Sequence, residues 1–296
     1  MAGYFEWHPP DNDDPIIFNQ QKPYLLRDRN LTASNVSIQQ SQTAPFQVGA
    51  SFLNPQIESR TFALSVRIAD PDGENVDEFR EELARKMIVE PQRDEIPELG
   101  RLVYKGGFRE FDLELKCLPI NSPQFSQITF RNNVIDCDLE FFAPYPFWTK
   151  LEDETAQVEL TGGLEFPLEF EIEFEKFEAD DFVINNQGEF KTPVIIRVYA
   201  FANSVRIENK TTNEALKFNG VIPDGSFLEI NTSFGEKSVE FVDQETGERR
   251  NAIGNLSLSE SDFWQLVKGE NIIGFSLVEG SPEQVEIIWR ERFIGV

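Results

Sequence analysis

The chain has 296 residues, 40% of them hydrophobic and 27 of them Phe, and its 52 Asp and Glu outweigh 27 Lys and Arg to a net charge of −25. Proteins that hold nucleic acid gain affinity from basic patches that release counterions, so this balance argues against DNA recognition, and solubility is the ordinary account of the acidity. The length predicts two domains with a core each, and 17 Pro and 18 Gly between short apolar runs predict a mainly β class.

The start, MAGYFEWHPPDNDDP, has neither a basic n-region nor an apolar h-region, and no stretch approaches about 18 continuous apolar residues. The expectation is a soluble chain without a membrane segment or a standard export signal. The Asn-x-Ser/Thr sequences at Asn30, Asn35, Asn209, Asn231 and Asn255 then read as turn and edge chemistry. Cys117 and Cys137 make no disulfide framework and have no clustered zinc ligands, which predicts reduced, buried thiols.

Residues 1–30 are polar and Pro-rich, with Tyr24-Leu-Leu26 as the first apolar anchor. Short strands are predicted at Val36/Ile38 and Phe46/Val48, and then along Thr61–Ile68, where Phe62, Leu64, Val66 and Ile68 fall on one face. Asn75 with Glu78 three residues on reads as a capping box, and Phe79, Leu83, Met87 and Ile88 form an apolar stripe. These predict one helix over about 76–89, supported by Glu81–Arg85 and Glu82–Lys86 and ended by Pro91. Asp70, Asp72, Asn75 and Asp77 lack the spacing of a calcium loop, and turn and cap chemistry uses the same residues.

After the helix, Gly100–Gly107 reads as a strand running into a Gly-Gly turn. Phe111, Leu113, Leu115 and Cys117 then alternate with Glu110, Asp112, Glu114 and Lys116, and one or two more strands are expected between Ile128 and Phe142. Pro-Tyr-Pro at 144–146 and the charges at 152–154 place the boundary, giving domains 1–148 and 149–296. Leu164–Phe174 alternates apolar residues with Glu165, Glu169, Glu171 and Glu173. Paired carboxylates do glycosidase work, but residues two apart on a strand are the wet side of a sheet, and nothing there separates their pKa values.

The sole histidine, His8, excludes His-based triads and two-His metal sites by count, and Gly106-Gly107 and Gly162-Gly163 lack the helix and Lys of a phosphate loop. The expectation is a non-enzyme with no metal and no cofactor. Ser204–Phe241 has turn signals at Asn209–Asn213, Pro223-Asp-Gly225 and Ser233-Phe-Gly235. Between them Val205/Ile207, Leu216/Phe218, Phe227/Ile230 and Val239/Phe241 predict a meander of about four strands.

The order RIENKTTNEALKFNG, GSFLEINTSFGEKSVEF and Asp262–Phe275 resembles the C-terminal half of the distal tail (Dit) proteins of long, non-contractile-tailed bacteriophages, with Asn213 where Gly is common in the turn. The GRLVYKG hairpin after the helix and the APYPFW close extend the resemblance over roughly residues 20–290. It implies an N-terminal β-rich ring domain with one helix, followed by a galectin-like β-sandwich. It further implies a homo-hexameric hub in the virion, assembled in the host cytoplasm. The tail tube protein, the tail-associated tip protein and receptor-binding or fibre proteins are its implied partners, and DNA passes through the ring without specific binding. Ring contacts are expected from Arg60–Ile68 and Gly100–Leu118, naming Arg60, Phe62, Leu64, Val66, Leu102, Tyr104 and Phe108. A bore that lets a polyanion slide calls for an acidic or neutral wall, with Lys and Arg kept in subunit contacts. The alternative is a carbohydrate-binding module that stacks sugar on Trp264 or Trp289. True galectins need a His-x-Asn-x-Arg strand, the second half has no histidine, and buried core is the commoner fate of tryptophan.

Overall fold

The computed structural model describes residues 3–10, 14–30, 36–40, 52–72, 75–88, 98–107, 110–125, 134–159, 177–178 and 181–296. Two units divide the chain, one of Met1–Leu151 with Phe293–Val296 and one of Glu152–Arg292. The first holds β1 (Tyr4–His8), β2 (Ile16–Phe18), β3 (Tyr24–Asn30), β4 (Val36–Gln40), β5 (Phe52–Ile57), β6 (Arg60–Ala69), α1 (Val76–Lys86), β7 (Gly100–Lys105), β8 (Leu113–Pro119), β9 (Gln124–Phe125), β10 (Val134–Ala143) and β11 (Trp148–Lys150). The second holds β12 (Glu154–Glu159), β13 (Phe177–Glu178), β14 (Phe182–Asn186), β15 (Val194–Asn209), β16 (Glu214–Asn219), β17 (Ser226–Asn231), β18 (Ser238–Asp243), β19 (Arg249–Asn251) and β20 (Gly269–Trp289), with β21 (Arg292–Phe293) at the end of the chain. The mainly β expectation holds.

In the first unit the strands run β2-β1-β7-β8-β10-β6-β3, while β4 and β5 pair with each other in a separate two-stranded sheet. Period-two alternation sends Phe62, Leu64, Val66 and Ile68 inward from β6, as expected, and Leu113, Leu115 and Cys117 inward from β8. The β1–β7–β8 half and the β10–β6–β3 half meet across the core, where Trp7 and Phe141 lie 5.1 Å apart; within the second half Phe62 stacks on its strand neighbour Phe141 at 5.2 Å. The opposite faces of the two halves therefore point away from one core.

Leu83 of helix α1 and Met87 at its C-cap close that core, Trp7 Nε1 donates to the Lys86 carbonyl at 3.2 Å, and Tyr24 Oη donates to Glu82 at 2.6 Å. Two details depart from the sequence reading. Asn75 makes no side-chain cap; the Asp70 carboxylate instead accepts from the Asn75 and Asp72 amides. The helix stops at Lys86, which leaves Ile88 outside the stripe and 59% exposed. The pair Glu82–Lys86 forms at 3.5 Å.

The second unit is arranged around β15 and β20, two long antiparallel strands paired from Val194↔Trp289 to Asn209↔Ile273 with an irregularity at Tyr199/Ala200. One half of this ribbon carries β12 on β20 and β17–β18–β19 on β15; the other carries β13 and β14 on β20 and β16 on β15. One apolar cluster draws on both halves, so a single ribbon supplies both layers of the sandwich. The expected meander is corrected here: β16 and β17 both pair with β15, on different stretches of it, rather than with each other. Phe227 also turns to the wet side, 4.8 Å from the Tyr199 ring, and Leu228 takes the core position. The turn at Asn213 behaves as the resemblance implies, with φ of 57°, the left-handed conformation that Gly and Asn tolerate.

Candidate assembly surfaces

The residues expected at a ring contact lie in the core of the first unit. Arg60, Phe62, Leu64, Val66, Leu102 and Tyr104 are all buried, and Phe108 lies outside the described residues, as do the glutamates expected along 164–174. The expectation selected the apolar side of each strand, and that is the side the fold consumes. Thr61, Ala63, Ser65 and Arg67 occupy the outer side of β6. Arg60 itself has one hydrogen bond, from Nη2 to the Ile294 carbonyl, with Nε and Nη1 unpartnered among the described residues. Burial lowers its pKa.

The two outer faces of the first unit differ in charge. On β1, β7 and β8, His8, Arg101 and Lys116 stand in register across three strands. One row away lie Glu6, Val103 and Glu114, all buried, with Lys105 Nζ on Glu6 at 2.8 Å. On β10 the outer side is Asp136, Asp138, Glu140 and Phe142, all exposed. Arg67 grips Asp136 through Nε and Nη2 at 2.6 and 2.7 Å and holds its carboxyl below the ordinary carboxylate range.

In the second unit one polar row crosses six strands: Gln157, Glu286, Arg197, Glu229, Glu240 and Asn251. Arg197 bonds Glu229 and Glu286 at 2.8 and 3.2 Å. Arg249 bonds Glu229 and Glu240 at 2.7 and 2.8 Å, so two carboxylates placed opposite each other share one cation. Burial alone would raise the Glu229 pKa, but the hydrogen bonds from both arginines outweigh it and hold the carboxyl below the ordinary glutamate range.

Three buried asparagines, Asn186, Asn209 and Asn271, are structural. Asn209 Nδ2 donates to Asn271 Oδ1 at 3.2 Å, Asn271 bonds the backbone of Val267 and Gly269, and Asn186 Nδ2 reaches the Phe190 and Leu266 carbonyls. All three are 0% exposed and pin the 262–269 loop. Trp264 and Trp289, the expected stacking platforms, are 1% and 9% exposed and sit in the same core. A buried indole offers a sugar no face, so the stacking expectation is corrected. Cys117 and Cys137 are free and buried; burial raises both thiols, Cys137 to about 12.

Residues 187–293 match the family model for the siphovirus-type tail component, C-terminal domain. Most of the second unit, from residue 187 onward, is thus similar to a siphovirus-type tail component domain. No curated protein matches the sequence. Among solved structures, the crystal structure of the SPP1 Dit (gp 19.1) protein is similar over 99% of this chain and 100% of that one, at 12% identity and a TM-score of 0.64. The phage P2 baseplate in its activated conformation with Ca has a chain similar at 10% identity and a TM-score of 0.49, covering 100% of each. The resemblance read from the sequence is therefore borne out: by the family model in the tail-component domain, and by the shared distal-tail fold along the rest. The motif residues Asn209, Asn213 and Asn271 all fall within the matched domain.

Proposed function

We propose that this chain is a hub protein at the distal end of a non-contractile phage tail. Six copies close a ring through their first units, under the tail tube protein. The second unit faces the tail-associated tip protein and receptor-binding or fibre proteins, and the genome passes through the bore. The observation that carries this reading is the likeness along both units to the SPP1 Dit structure, described as "a Paradigm of Hub Adsorption Apparatus in Gram-positive Infecting Phages". The tail-component domain at 187–293 supports it independently. The β4–β5 ribbon, which pairs with no other strand among the described residues, agrees with assembly, because a two-stranded sheet is marginal without a partner. We assign the chain no catalytic step; it acts in the virion, after assembly in the host cytoplasm. Native mass measurement with negative-stain imaging tests the reading. The expected result is a ring of six 34.0 kDa chains, whereas a strict monomer at high concentration, with no rings on grids, overturns it.

A further inference from the structure

Resting on that ring reading, we propose that neighbouring copies meet head to tail, the β1–β7–β8 outer face of one first unit against the β10–β6–β3 outer face of the next. Arg101 and Lys116 are directly opposite on adjacent strands, with His8 beside Arg101. Like charges in that position repel. The second unit meets the same problem at Glu229 and Glu240 and answers it within the chain, through Arg249. Among the described residues the first unit does so only in part: Glu114 reaches Arg101 at 3.5 Å and Glu6 reaches His8 at 3.4 Å, while exposed Lys116 has no carboxylate there.

The opposite outer face carries the converse excess. Asp138 and Glu140 are exposed and bonded only to neutral donors among the described residues, Ser65 Oγ at 2.5 Å and Asn121 Nδ2 at 2.7 Å. Beside them opens a groove of about 480 Å³ lined by Arg27, Asp28, Ser65, Gln124, Asp136 and Asp138, with three carboxylates to one guanidinium. Its occupant is Lys116 of a second copy, with Arg101 turned toward Glu140. Phe142, 37% exposed on the same side of β10, supplies an apolar contact next to the charges. Two different patches on two faces make a heterologous contact, which closes into a ring or runs on as a filament; a two-fold dimer needs one self-complementary patch instead.

The test uses the full chain in three variants, Lys116→Glu, Asp138→Lys with Glu140→Lys, and all three together, read by native mass spectrometry and light scattering. Each charge reversal is expected to weaken assembly at least about ten-fold, and the combined exchange to restore it. Carbodiimide treatment of the wild type is expected to join Lys116 to Asp138 or Glu140 of another chain. Rings that persist in both reversed variants, with no such cross-link, place the contact elsewhere and overturn this inference while the ring reading stands. A wild type that is monomeric throughout overturns both. The wild-type cross-link decides the matter should a variant fail to fold.

Discussion

Glu229 shows how one side chain sets the pH response of the second unit. Its folded pKa is held below the ordinary glutamate value, so the stability it contributes is present above the unfolded value and is lost as pH falls through the folded one. Glu229→Gln is expected to destabilise the unit by about 1–3 kcal/mol at neutral pH. The gap between variant and wild type should close on acidification, and urea unfolding across the acid range measures it; a constant gap removes the charge from the account. Asn271 is a second such residue. Asn271→Ala leaves the Val267 amide and Asn209 without their buried partner and should cost about 1–3 kcal/mol, read by the same unfolding curves. At Cys117 and Cys137 the raised thiols are expected to resist alkylation in the native protein and to react at once in denaturant, as a timed iodoacetamide reaction would show.

At the scale of elements, the end of the chain acts as a staple. Phe293 is buried in the first unit, 5.3 Å from the Phe111 ring, and the Ile294 carbonyl is the one hydrogen-bond acceptor found for Arg60 among the described residues. Phe293→Ala should destabilise the first unit by about 3–5 kcal/mol. Removing Phe293–Val296 should in addition open that unit to limited proteolysis; equal resistance to trypsin with and without the segment would show that the staple is idle. The β15–β20 ribbon is the other decisive element, because its length lets one pair of strands carry partners for both layers of the sandwich.

For the whole molecule, the charge distribution is tied to the proposed assembly. Residues 1–150 hold 23 acidic and 15 basic residues, and a ring that passes a polyanion is served by basic residues held in subunit contacts rather than in the bore. Lys116 and Arg101 fit that placement, with a neighbour's Asp138 and Glu140 to receive them. Because such exposed pairs are screened, assembly of the purified ring should weaken as salt is raised beyond physiological strength, which sedimentation at several salt concentrations measures. A lumen lined by unpaired Arg or Lys in an imaged ring would contradict the placement.

The one-dimensional pattern determined which residues turn inward: Phe62, Leu64, Val66 and Ile68 on β6, and Leu113, Leu115 and Cys117 on β8, because a strand's side chains alternate whatever it pairs with. It also determined the helix near 76 and the turn at Asn213, since both rest on local backbone preference. Which surfaces remain for other chains was not legible, because the apolar residues that drew attention as contacts are the ones the core consumes. The pairing of β15 with β16 follows the local turn at Asn209–Asn213, but its pairing with β17 and β20 was decided in three dimensions, over dozens of residues of separation with no local signal. The opposition of Arg101 to Lys116 became visible only through register, and the outward aim of Asp138 and Glu140 only once Trp7 met Phe141 across the core. Charge is written in the sequence, but whether a charge finds its partner within the chain depends on distances that folding alone creates.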